Sequence, residues 1–133
     1  MGGQPRVRYL LDTHVVLWLA GDTAQVPDDV RSTLADAPSR VVSSASAMEI
    51  ALKTRLGKLT GGHSVVAGWE RILSSFLATE LPLSGAHMLH AGGMDWDHRD
   101  PFDRMLVSQA VLEGLVLVTR DQRLVAYPEV QTL

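Results

Sequence analysis

The sequence predicts an α/β fold, a mostly parallel sheet of about five strands flanked by helices on both sides. Two features predict it. Short, largely apolar runs at 7–11, 40–43, 79–83 and 115–119, with a shorter one at 130–132, lack the strict alternation of a half-exposed strand. Longer stretches with helical spacing separate these runs. Strands that are apolar on both faces and divided by helices belong to a parallel sheet covered on each side.

Taken in order, Val15, Val16, Trp18 and Leu19 form the apolar stripe of a helix leaving the first strand. Pro27 occupies the first position of a second helix running through Leu34. The segment Ser46 to Lys53 is helical by propensity, and Gly57 ends it. Trp69, Ile72, Leu73, Phe76 and Leu77 mark one face of a further helix, and another runs from Pro101 to Glu113 with Gly114 as its stop. Gly61-Gly62-His63-Ser64 and Gly92-Gly93 read as loops. No internal repeat or domain boundary is visible, so residues 1–133 read as one domain, with 1–6 a flexible lead-in.

Composition narrows the function classes. An apolar fraction of 46% indicates a folded, soluble chain rather than a disordered one. There is no cysteine, which removes disulfides and thiolate zinc sites. No run approaches the roughly 20 apolar residues of a membrane span, and Met1 to Arg6 lacks the apolar core of a signal peptide. The expected location is therefore the cytoplasm. A net charge of -3 argues against a strongly basic nucleic-acid binder, but not against a nuclease whose acids are covered by a divalent metal.

Four carboxylates stand where core elements meet loops. Asp12 ends the first run, Glu49 lies in the first turns after the second, Asp103 opens the helix after His98-Arg99-Asp100-Pro101-Phe102, and Asp121 follows the run at 115–119. Parallel sheets gather functional side chains at the carboxyl ends of their strands. Several like charges brought together there are costly unless a hard cation neutralises them. Each acid also has a local reading. Asp12 and Asp100 suit helix N-caps, Asp103 complements a helix dipole, Asp121 suits a turn or cap before Gln122-Arg123-Leu124, and Ser46-Ala47-Met48-Glu49 matches a capping box. Yet Asp95, Asp97, Asp100 and Asp103 crowd into nine residues, more than capping needs. Arg99 and Arg104 flank the last pair, either as surface ion pairs or to orient the acids and meet phosphates.

The phrases Leu10-Leu11-Asp12-Thr13-His14, Ser46-Ala47-Met48-Glu49-Ile50, His98 through Ala110 and Leu117-Val118-Thr119-Arg120-Asp121 resemble the ordered motifs of PIN domains. More narrowly, they resemble VapC-type toxin ribonucleases of type II toxin–antitoxin pairs, and the resemblance spans Val7 to the end. It implies a sheet of about five strands and cleavage of RNA dependent on Mg2+ or Mn2+, leaving a 3′-hydroxyl and a 5′-phosphate. On it, Asp12, Glu49, Asp103 and Asp121 become the catalytic, metal-binding acids, and Asp100 an auxiliary ligand. Thr13, His14, Arg99, Arg104 and Thr119 become candidates to orient the acids or touch RNA. It further implies a VapB-like antitoxin covering the acidic groove, and a homodimer formed through helices of the first half. The apolar faces at Val15–Leu19 and Ile50–Leu52 would serve that dimer or the core.

Other residues carry weaker signals. Trp96, between two aspartates in a loop, is the better candidate for base stacking, whereas Trp18 and Trp69 sit on apolar helical faces as core residues do. Lys53, Arg55 and Lys58 read as a solvated helix face before they read as a basic rim, and His63, His87 and His90 lack metal-ligand spacing beyond the i, i+3 pair His87/His90. His98 is placed to orient the Asp100 region. A haloacid-type phosphatase would need an Asp where His14 stands, and a receiver domain a lysine where Arg120 stands. The rival of another class is a PIN-like domain that binds RNA or protein without cutting.

Overall fold

In a computed structural model of the protein, residues 7–37 and 39–133 are described, so the expected lead-in at 1–6 lies outside the described residues. Four strands, β1 (Tyr9–Leu11), β2 (Arg40–Ser43), β3 (Ala78–Leu81) and β4 (Val116–Val118), form one sheet in the order β3-β2-β1-β4. Every pairing is parallel. The helices are α1 (Thr13–Ala20), α2 (Asp28–Asp36), α3 (Ser44–Arg55), α4 (Gly62–Ala67), α5 (Trp69–Ser75), α6 (Gly85–Gly93), α7 (Pro101–Glu113) and α8 (Gln122–Val125).

The pleat divides the core in two. Leu11, Val42 and Val118 share one register level and one face, where they pack with Val15, Val16 and Ile50. Leu10, Val41 and Leu117 face the other way, onto Leu106, Val107, Ala110 and Leu124. Strands apolar on both sides are therefore sandwiched between helical layers, as their run-like composition predicts.

Several boundaries differ from expectation. The run at 79–83 becomes a strand at 78–81, because Pro82 has no N–H to continue the ladder. The run at 130–132 contributes only a single parallel bridge, Leu117 to Thr132, so among the described residues the sheet has four strands, close to the expected five. Gly62 and His63 are helical rather than looped, as are Gly92 and Gly93. Gly61 adopts φ 80°, the left-handed turn that launches α4, and a side chain on Gly62 would collide with Thr54. The Ser84 hydroxyl accepts from the His87 N–H and the His87 ring accepts from the Ser84 N–H, a capping box with histidine in the usual Glu position.

Gly57 and Gly114, at φ 73° and 67°, end α3 and α7 as predicted. Val15, Val16 and Ile50, offered as a dimer face, are core residues no more than 2% exposed. Among the described residues, no helix is long and apolar enough to cross a membrane.

Candidate active site

The register that aligns Leu11, Val42 and Val118 brings Asp12, Ser43 and Thr119 side by side at the carboxyl ends of the three adjacent strands. Asp12 is 3% exposed. Its Oδ1 accepts from the Thr13 backbone N–H and its Oδ2 from the Thr119 hydroxyl, both at 2.7 Å. Thr119 Oγ1 in turn accepts from the Asp121 backbone N–H at 3.0 Å, so one hydroxyl fixes two chain segments. Thr13 contributes its backbone to Asp12, while its hydroxyl meets that of Ser46 at 2.8 Å and ties α1 to α3.

Glu49 reaches the site from the second turn of α3. The capping-box reading of Ser46 and Glu49 is corrected here. The cap is Ser43, whose Oγ accepts from the Ala45 N–H, so the helix begins before Ser46 and leaves Glu49 inside it. Glu49 is 4% exposed and takes a 2.6 Å bond from Lys53 Nζ. Lys53 is thus no plain solvated residue. Partial burial pulls its pKa down, but the hydrogen bond to Glu49 and the charges of Glu49, Asp100 and Asp103 carry it above the ordinary value.

Asp100 caps α7, accepting from the Phe102 and Asp103 N–H groups at 2.9 and 3.2 Å, with Pro101 in the first turn. One turn on, Asp103 is 8% exposed, and its Oδ2 lies 2.7 Å from His98 Nε2. Burial is the main force raising its pKa to about 6. The His98 hydrogen bond opposes that rise, and the charges of Asp100 and Asp12 add to it. Burial likewise raises Asp12, against the hydrogen bond from Thr119 and the charge of His14, with Glu49 pushing further up. Through these charges Asp12 feels Glu49, and Asp103 feels Asp12 and Asp100.

Asp121 stands apart. It caps α8, and Arg123 grips both its oxygens at 3.2 and 2.9 Å, which holds its carboxyl below the usual range. Asp12, Asp100 and Asp121 each cap a helix, and a cap's place at a helix start does not prevent its carboxylate from facing the strand ends.

Among the described residues, no three Asp, Glu or His side chains are closed up as a preformed metal cage. Each acid instead has its own donor: Thr13 and Thr119 for Asp12, Lys53 for Glu49, His98 for Asp103 and Arg123 for Asp121. The donor set nonetheless suits a hard, oxygen-seeking ion, since magnesium is bound through one or two carboxylates and keeps several waters.

Arg104 corrects the expectation that it orients acids or meets phosphate. Its guanidinium donates to the carbonyls of Ala91, Met94, Trp96 and His98 at 2.7–3.0 Å, locking the loop that carries His98. Arg99 and His14 are exposed. Trp18 and Trp69 pack on the first core, as expected. His87 and His90 point to separate partners, Glu113 and Ser108. Sequence reasoning missed the Lys53–Glu49 pair, although an acid four residues before a lysine on a helix was its signal. It also missed Arg123, for which nothing beyond the Asp-Gln-Arg spacing pointed to the grip.

Compared with known proteins, residues 9–130 match the PIN domain. Among solved structures, a chain of DNA-bound VapBC from Salmonella typhimurium superposes with a TM-score of 0.69 at 20% identity, covering 96% of this chain and 97% of that one. A chain of VapBC2 from Rickettsia felis, bound to a promoter DNA fragment, gives 0.66 at 16% identity, covering 96% and 98%. FitAcB from Neisseria gonorrhoeae gives 0.63 at 20%, covering 94% and 96%. At these identities the likeness is one of fold. With the match spanning nearly its whole length, this chain belongs to the PIN domain family.

Proposed function

We propose that this chain is a metal-dependent endoribonuclease, the toxin of a VapBC-type pair that acts in the cytoplasm and is held in check by a VapB-like antitoxin. The observation that carries the reading is the shared carboxylate charge at the carboxyl ends of β1, β2 and β4. There, buried Asp12 and Asp103 have raised pKa values and sense each other and their neighbours. Such concentrations of perturbed acids mark functional sites more often than structural ones.

Asp12 and Asp103 would hold Mg2+ or Mn2+, with Glu49 and Asp121 in support and Asp100 auxiliary. A cation bound there supplies charge to activate water and to offset the negative charge gathering on the phosphate. The chain's residues then have distinct tasks. Thr119 and the Thr13 N–H orient the two Asp12 oxygens, and His98 orients Asp103. Asp100 fixes the first turn of α7, from which Asp103 projects. Lys53 pairs with Glu49, a place that a bound divalent ion would take over. RNA reaches the site as a single strand or loop, which exposes both the bond and the bases. The fold neighbours from VapBC and FitAcB support an antitoxin partner. A homodimer would use surface other than the buried Val15, Val16 and Ile50.

The pairing of Glu49, Asp103 and Asp121 with cationic or imidazole partners favours one rival, a PIN-like module that binds RNA or protein without cutting. Purified protein incubated with total RNA, with magnesium or chelator and beside Asp12→Ala, separates the two. Discrete cuts that need both metal and Asp12 support the ribonuclease. Equal cutting by the variant, or none by folded, antitoxin-free wild type with either metal, leaves the binding module.

A further inference from the structure

An open groove of about 600 Å³ lies between the end of α6, the loop at 94–96 and the residues around and after α8. That volume falls in the range of small-ligand sites. Trp96 and Tyr127, both half-buried, line it as a contacting aromatic pair, with ring centroids 4.8 Å apart and planes tilted by 43°. Exposed Asp95, Arg123 and Glu129 add polar groups around them.

Two short links join this groove to the acids. Trp96 also meets His98 edge-on at 4.9 Å, and His98 holds Asp103. Arg123 lines the groove while it grips Asp121. A ligand in the groove is therefore linked to Asp121 through one residue, Arg123, and to Asp103 through two, Trp96 and His98.

The lining selects the chemistry. Aromatic faces offer stacking to a flat ring, and nucleobases stack on them with little regard to sequence. Asp95 and Glu129 can accept from the amino and ring N–H groups of a base edge. They repel a bare phosphate or an acidic peptide, whereas the exposed guanidinium of Arg123 attracts the backbone phosphate of the same strand. We infer that the groove holds an unpaired nucleobase of an RNA strand, stacked against Trp96 and Tyr127, beside the phosphate presented to the acids. This rests on the ribonuclease reading for its second half only.

The test combines mapping with kinetics. Wild-type protein is cross-linked by light to a mixed-sequence single-stranded oligoribonucleotide carrying 4-thiouridine, and the linked peptides are identified. In parallel, KM and kcat for cleavage are measured for Tyr127→Ala, Trp96→Ala and Trp96→Phe. Because Trp96 and Tyr127 both pack on the second core, each variant is first checked by thermal melting. Tyr127→Ala and Trp96→Phe keep the test valid if Trp96→Ala fails to fold.

Cross-links are expected on the peptides holding Trp96 or Tyr127. Tyr127→Ala should raise KM about five- to a hundredfold with a smaller change in kcat, and Trp96→Phe should stay near wild type. A wild type that cuts RNA while Tyr127→Ala matches it in KM and cross-links map elsewhere overturns the groove and leaves the ribonuclease standing. A wild type that cross-links at the groove without cutting keeps the groove and removes the ribonuclease. Neither cutting nor cross-linking removes both. Groove variants that lose affinity for an antitoxin peptide with KM unchanged overturn the inference in favour of a protein partner.

Discussion

The Thr119 hydroxyl donates to Asp12 Oδ2 at 2.7 Å, joining residues 107 positions apart through the adjacent ends of β4 and β1. The bond is buried, and among the described residues the one other hydrogen bond to the Asp12 carboxylate goes to Oδ1, so Oδ2 has no second donor there. Thr119→Val keeps the shape and deletes the donor. It should lower magnesium affinity or cleavage about 10- to 100-fold, the usual loss when an outer partner of a ligand is removed. Thr119→Ser should restore most of it. Calorimetric titration of magnesium, run beside cleavage assays, checks both. A Thr119→Val protein with unaltered affinity and rate would dissociate Thr119 from the site.

The ionised Asp103 carboxylate costs the fold stability through burial and the neighbouring acids. Its folded pKa, raised to about 6, lies above the ordinary carboxylate value of 3.8. Between those values the folded state binds more protons than the unfolded one, so stability falls as pH rises through that window. At neutral pH in the absence of metal, the ionised carboxylate costs on the order of 3 kcal/mol. Asp103→Asn should therefore stabilise the metal-free protein at pH 7 by about that amount and abolish cleavage. The gain should vanish near pH 4, where the wild-type carboxyl is protonated. Urea melts at pH 4 and 7 in chelator measure it, and an equal effect at both would exclude a charge origin.

Arg104 makes an opposite prediction. Four backbone carbonyls between Ala91 and His98 depend on its guanidinium. Arg104→Ala should cost about 3 kcal/mol, since bonds to charged donors are worth roughly 1.5–3 kcal/mol each and do not add fully. Arg104→Lys should recover only part, because an ammonium lacks the planar fork. Limited proteolysis should then cut first within residues 94–98. Activity should fall with the order of this loop, through His98, rather than through lost contact with RNA.

These relationships explain how far the sequence was readable. Apolar runs such as Leu10-Leu11 and Val41-Val42 announced buried parallel strands, because a strand packed on both faces has no polar side to alternate. Asp12, Asp100, Asp103 and Asp121 were visible for a similar reason, since each stands one step past such a run or at a helix start, whereas Glu49 lies within α3. What stayed hidden depends on geometry between segments. Ser43 and Ser46 are equally good caps on paper, and only the end of β2 decides that Ser43 is used, which frees Glu49 for the site. Helix α6 carries Gly85, Gly92 and Gly93, whose poor propensity masks it, and tertiary packing on α7 overrides that weakness. The carbonyl acceptors of Arg104 belong to an irregular loop whose path no periodicity encodes.

Lys53 carries the last prediction. Its ammonium lies 2.6 Å from Glu49, and the Glu49 side chain is only 5% exposed against 32% for Lys53. In the metal-free protein this cation does for Glu49 what a divalent ion would do. Removing it leaves a buried carboxylate unpaired among other acids, so Lys53→Met should destabilise the metal-free fold by about 1–3 kcal/mol. The same substitution removes a competitor. Magnesium should then raise the melting temperature of Lys53→Met more than that of wild type, because a ligand stabilises by its affinity for the folded state. Thermal melts of both proteins across a magnesium series test this directly. A magnesium shift that is smaller in the variant would mean that Lys53 helps to hold the ion or its ligands rather than standing in for it.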